Sequence, residues 1–176
     1  RSRGLGDVYK RQGLIPENRK TQGFVKNFTN ASNMALASMN RFCSKGFVNA
    51  RKIYDNCMYY TGEMNLHPAE PNYLTESLSG GNAQKVIIAK WMTTDADIII
   101  FDEPTKGIDV GAKAEIYRLM EDLVAGGKAI IMVSSELPEV IGMSDRVVVM
   151  REGKIMGFLN HDELNEEVIM SFAMGG

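Results

Sequence analysis

Apolar residues along this chain follow two rhythms. Continuous β-branched runs, "DIIIF" at 97–101 and "AIIMVS" at 129–134, are bounded by polar or turn residues and predict strands buried on both faces. "DRVVVM" at 145–150 predicts a third strand, and "EGKIMGFL" turns back at Glu152–Gly153 as a hairpin. Between these runs the period changes to that of a helix. "AQKVIIAKWM" puts Val86, Ile87, Lys90 and Trp91 on helical spacing. "GAKAEIYRLMEDLVAGG" gathers Ile116, Leu119, Met120, Leu123 and Val124 on one face and ends at Gly126 and Gly127. "ELPEVIGMS" predicts a short helix and "DELNEEVIMSFAM" a closing one. Strands alternating with helices at this spacing predict the α/β class, a parallel sheet with helices on both faces.

The first half breaks the alternation. "GLIPENRKTQGFV" from Gly13 reads as a loop leaving a strand end, with "NRK" at 18–20 solvated. Residues 26–66, rich in Asn, Ser, Met and Ala, predict several short helices broken at "SKG" and "TG", and 26–76 reads as an inserted helical subdomain before a core portion at 77–176. The methionines there serve packing. Pro68 and Pro71 in "HPAEPNY" stop helix formation. Residues 1–12, "RSRGLGDVYKRQ", have no apolar period, and "DVYKRQ" resembles the translation of a sequencing adapter. They are set aside as a non-native scar, which leaves 13–176 as the domain.

Composition narrows the picture only a little. The 176 residues are 44% hydrophobic and 24% charged with a net charge of −2, ordinary for one soluble domain. At that net charge no basic balance argues for nucleic acid or for an anionic lipid surface, and without residues 1–12 the count is 16 basic against 21 acidic, a mildly acidic domain. No apolar run is long enough to span a bilayer, so a membrane role is expected to come through a partner. Cys43 and Cys57 lack metal-ligand spacing and read as reduced thiols, and His67 and His161 stand far apart, so zinc is not expected.

The candidate chemistry sits in the second half. In "LSGGNAQKV", Gly80 and Gly81 bare backbone N–H groups at a helix start, and Ser79 adds a hydroxyl. Free N–H groups and the positive dipole end suit a phosphate, although a glycine turn that merely caps a helix has the same look. Asp102 and Glu103 follow "IIIF" and so stand at the carboxyl end of a strand, where open α/β sheets bind ligands. Their side chains leave opposite faces, so the two acids need not share one task. A helix cap and a surface acid is the plainer alternative. Asp109 in "KGIDV" has a plain reading too, as cap of the next helix.

A helical insert, "LSGGN" followed by "QKV", then "DEPTKGIDVGAK" and "SSELPEV", in this order over residues 13–176, resembles an ABC-type ATPase cassette, most of all the second cassette of two-cassette bacterial sugar-import subunits. The resemblance implies ATP and Mg²⁺ as cofactors and a P-loop NTPase-like fold. It gives Ser79, Gly80, Gly81 and Asn82 the γ-phosphate of an ATP held by a sister cassette. It gives Asp102 a Mg²⁺ contact through water, Glu103 the polarising of the attacking water, and Asp109 the contact with the sister. It also implies membrane permease subunits as partners, a sugar-binding protein indirectly, no nucleic acid, and the cytoplasmic face of the bacterial plasma membrane. Two positions depart from the family pattern. Ser135 stands where many members have a γ-phosphate histidine, and Glu17 where a glutamine usually monitors Mg²⁺ and the permease. Serine supplies neither a proton nor a cation as imidazole does, so slower hydrolysis is expected from this half.

The family's Gly-x-x-x-x-Gly-Lys-Ser/Thr loop is missing from these residues; "AGGKA" at 125–129 lacks the first glycine and the hydroxyl. The expectation is a cassette truncated before its phosphate-loop strand, inactive alone, with exposed sheet surfaces and a tendency to self-associate. Two other readings stay open. One is an ABC-type ATPase acting on ribosomes or DNA, and the other is a docking half with a degenerate site.

Overall fold

The computed structural model describes residues 11–175, so most of the segment set aside as a scar lies outside the described residues. Two compact units make up the chain, one ending at Val133 and the other beginning at Ser134.

In the first unit, β1 (Gln12–Ile15) leads into an irregular turn and then the helical insert, with α1 (Asn30–Ala35), α2 (Met39–Phe42), β2 (Cys43–Ser44), β3 (Phe47–Val48) and α3 (Ala50–Glu63). After the glycine turn come α4 (Gly80–Met92), β4 (Ile98–Asp102), α5 (Val110–Ala125) and β5 (Ala129–Val133). The sheet order is β1-β4-β5, all parallel, with Ile15 opposite Phe101 and Asp102 opposite Val133. β4 is therefore the interior strand, and its Ile99 and Phe101 are fully buried. Trp91 of α4 packs so closely on Gly13 of β1 that an added Cβ would lie 2.8 Å from its ring.

Several expectations change. Gly13, Leu14 and Ile15, read as the start of a loop, belong to β1, and Gln12, grouped with the scar, pairs with Ile98 while Arg11 bridges Asp97 at 2.9 Å. The predicted break at "TG" does not occur, since α3 runs through Thr61 and Gly62 with Cys57 and Thr61 buried. The break at "SKG" is the β2–β3 hairpin. Both cysteines are free thiols. β5 is not buried on both faces; Ile131 and Val133 are about half exposed, as is Val124 at the end of α5. Among the described residues β5 pairs only with β4, so no neighbouring strand covers its other edge.

The insert is tied shut at its ends by buried polar groups. Asn33 accepts from Val25 N at 2.8 Å and donates to Thr75 Oγ1 at 3.0 Å; that hydroxyl donates to Asn30 Oδ1 at 3.0 Å. Each partner satisfies the others, so the residues entering the insert are clasped to those leaving it.

Lys90, on the helical stripe, is buried with its ammonium 2.5 Å from Gly23 O. Burial pushes its pKa down to about 8. The unfolded chain thus binds more protons than the folded one between about pH 8 and the ordinary lysine value, and folding gains from rising pH in that window. Relative to Lys90→Met, the wild-type chain is expected to gain about 2 kcal/mol of stability from pH 7 to 10 in urea titrations. A constant difference would show that the amine titrates normally.

The second unit holds α6 (Leu137–Met143), β6 (Arg146–Arg151), β7 (Lys154–Asn160) and α7 (Glu166–Met174). The third predicted strand does not join the parallel sheet. β6 pairs antiparallel with β7 through the expected hairpin, over a core of Val147, Val149, Leu159 and Ile169.

Candidate functional site

The acids stand where the chain leaves the interior strand. Asp102 is the last residue of β4 and half-buried. Glu103 follows with φ +49, in the left-handed region that a non-glycine residue rarely occupies. Its N–H donates to Val133 O at 2.8 Å, so the ladder to β5 extends one residue past the strand and fixes this backbone. Buried Pro104 and Thr105 hold the other side. Conformations of this kind cost on the order of 1–3 kcal/mol and collect at functional sites.

Three further residues gather beside the acids. Lys106 forms an ion pair with Glu17 at 2.6 Å. Its ammonium is pushed above the ordinary lysine value chiefly by the Glu17 hydrogen bond and charge, with Glu103 and Asp102 adding to it. Glu17, Asp102 and Glu103 therefore share one electrostatic neighbourhood. Arg19 donates to Lys106 O at 2.6 Å, and burial pushes its guanidinium pKa down, so the "NRK" stretch is not simply solvated. Glu17, Arg19 and Lys106 line a cavity of about 510 Å³ that also reaches Phe24, Thr75 and Gly80; Asp102 and Glu103 are not part of its wall. Sequence reading missed Lys106 and undervalued Arg19; a cation in a loop signals nothing until its partner, here 89 positions away, is known.

The glycine turn behaves in two ways. Ser79 caps α4, its hydroxyl accepting from Asn82 N at 3.4 Å and Asn82 Nδ2 at 3.0 Å. Asn82 in turn accepts from His67 N at 2.9 Å. Gly80 is exposed. Gly81 is buried, which corrects the expectation that both glycines lie bare: a Cβ there would meet Ala112 Cβ of α5 at 2.8 Å. Glycine at 81 lets two helix starts touch, so Gly81→Ala is expected to cost about 1–2 kcal/mol in urea unfolding. A neutral result would show that α5 yields without strain. Asp109 caps α5, accepting from Ala112 N at 2.9 Å.

Ser135 belongs to the second unit and is exposed. Its neighbour Ser134 donates to the buried Glu139 carboxylate and accepts from Glu136 N at 3.0 Å.

No group of three or more His, Cys, Asp or Glu side chains suited to a metal occurs among the described residues. The acids fit Mg²⁺ only in the manner that ion prefers, through one carboxylate with water and phosphate oxygens filling the other positions.

A parallel sheet with two acids at the end of its interior strand and a glycine turn opening the preceding helix defines a P-loop NTPase-like nucleotide cassette. Residues 5–106 match the ABC transporter family, and the chain belongs to it. It is 47% identical over 166 residues to the ribose import ATP-binding protein RbsA of Halalkalibacterium halodurans, covering 93% of this chain and 33% of that protein. Against the RbsA of Clostridium perfringens it is 45% identical over 162 residues, covering 92% and 32%. The chain thus spans about a third of the length of these curated relatives. Among solved structures, a dimeric ATP-binding cassette in a post-hydrolysis state bound to ADP and Pi superposes with TM-score 0.71 at 19% identity, covering 88% of this chain and 65% of the other. CbiO1 of Clostridium perfringens, part of the cbiONQ transporter complex, gives 0.72 at 22%, covering 93% and 62%. Both share the fold.

Proposed function

We propose that this chain is the water-activating and glycine-turn portion of the ATPase subunit of a monosaccharide-type ABC importer, working at the cytoplasmic face of a bacterial membrane through permease subunits. The observation that carries the reading is Glu103, held left-handed at the end of an interior strand by Val133 O. A fixed carboxylate can polarise a water without reorganising during the reaction. Asp102 would hold Mg²⁺ through water, and that ion, when bound, neutralises charge on the phosphates.

The Ser79 hydroxyl, the exposed Gly80 N–H and Asn82 would contact the γ-phosphate of an ATP carried by a sister cassette. Gly81 serves that contact by letting α4 sit close on α5. Asp109 would carry the occupancy of one site to the other, and Ser135 would stand in for a γ-phosphate histidine. Glu17, paired with Lys106, would report that state to the permease. Ribose and related sugars are the favoured cargo, because the relatives carry that name; a sugar-binding protein would deliver them.

The chain contains no phosphate-loop string. Purified alone, it is expected to release no phosphate from MgATP above background. In a ribose import ATPase whose matching third is replaced by residues 13–176, MgATP hydrolysis is expected to persist. A folded chimaera without turnover, or Mg²⁺-dependent turnover by the chain alone, would overturn this assignment.

A further inference from the structure

The helical insert carries a surface that nucleotide chemistry does not use. Between Asn40 and Tyr54 stand four cations, Arg41, Lys45, Arg51 and Lys52, and no acid, in a chain whose net charge is −2. The acidic whole hides a basic part.

The β2–β3 hairpin gives this segment a firm shape. Lys45 and Gly46 form its two-residue turn, both with positive φ (51° and 84°), the geometry that suits a tight hairpin. Phe42 is buried beneath, and Asn49 N donates to Phe42 O at 2.7 Å to close the base. Asn49 also caps α3 through Lys52 N at 3.0 Å, so the hairpin is fixed to the helix's first turn. At the tip Phe47 is 81% exposed and Val48 56%. Apolar side chains so bare on a rigid turn contribute nothing to the core.

The charges beside them are placed against local preference. Arg51 and Lys52 occupy the first turn of α3, where the helix dipole favours acids, and no acid is present there. Arg51 is offset by Asp55 at 3.0 Å and lies over the Tyr54 ring at 5.7 Å. Arg41 is taken up by Asp95. Lys45 and Lys52 have no acidic partner among the described residues.

We infer that this face seats on an anionic bilayer surface, with Phe47 and Val48 entering the headgroup level and Lys45, Arg51 and Lys52 meeting lipid phosphates. Charge decides for lipid: cations clustered around an exposed aromatic match an anionic interface, where aromatic rings settle and each cation adds to binding. The inference does not rest on the ATPase reading.

The test is flotation of the 176-residue chain with vesicles of phosphatidylcholine alone or with about 30% phosphatidylglycerol. The anionic vesicles are expected to bind about tenfold more chain, with the excess lost at about 0.5 M salt. Lys45→Glu with Lys52→Glu is expected to lower binding by more than about tenfold. Phe47→Ser is expected to lower it about fivefold. All three positions are exposed, so an unchanged circular-dichroism melt is expected of both variants. Lys26→Glu, a reversal elsewhere, is expected to bind as the parent does. Equal binding to both vesicles, no binding at all (the result if the face serves a protein), or equal loss in Lys26→Glu would each overturn it.

Discussion

Glu103→Gln in the chimaeric import subunit is expected to lower ATP turnover at the site built on this half by about two to four orders of magnitude, read with the sister site disabled, and to leave nucleotide binding in place. The amide nearly matches the carboxylate in size, so the left-handed backbone and the 2.8 Å hydrogen bond to Val133 O should survive. What disappears is the negative charge that draws a proton from water. Phosphate release reads the rate, and retention of a fluorescent nucleotide reads the binding. Asp102→Asn should instead weaken Mg²⁺-dependent binding, which separates the two neighbouring acids. Turnover within a few fold of wild type for Glu103→Gln would remove Glu103 from its assigned role.

Phe101→Ala is expected to have the largest effect on folding, a loss of about 4 kcal/mol. The ring is fully buried, in the middle strand, between Ile15 and Met132 in register. Its removal opens a void directly before the acids, and a domain has only about 5–15 kcal/mol to lose. Phe101→Leu should cost far less, since it keeps most of the volume. The urea midpoint of each variant measures the effect. A loss below about 1 kcal/mol for the alanine would mean that the sheet collapses freely around the site.

The helix starts at Ser79 and Asp109 were legible because a capping side chain and an apolar stripe announce them locally. β4 and β5 were legible for the same reason, as short β-branched runs between turn residues. The partnership of β6 was not: "DRVVVM" reads as a strand in any sheet, and only β7 decides that it pairs antiparallel in a separate unit. The two-residue strands at Phe47 and Cys43 are too short to show a period. Within the site, the order of the acids was plain, but the left-handed turn of Glu103 depends on Val133 O, thirty positions on. The Glu17–Lys106 pair and the buried Asn30, Asn33 and Thr75 join residues that no local window contains.

That last trio has an evolutionary reach. With Val25 and Thr75 pinned to Asn33, the excursion between them begins and ends at one fixed gate. A long loop anchored at both feet can be lengthened or rewritten at small entropic expense, about 0.6 kcal/mol per doubling. Selection could therefore remodel the insert for a different transporter without disturbing the sheet that carries the acids, and a laboratory graft cut just outside the gate should carry its shape along with it.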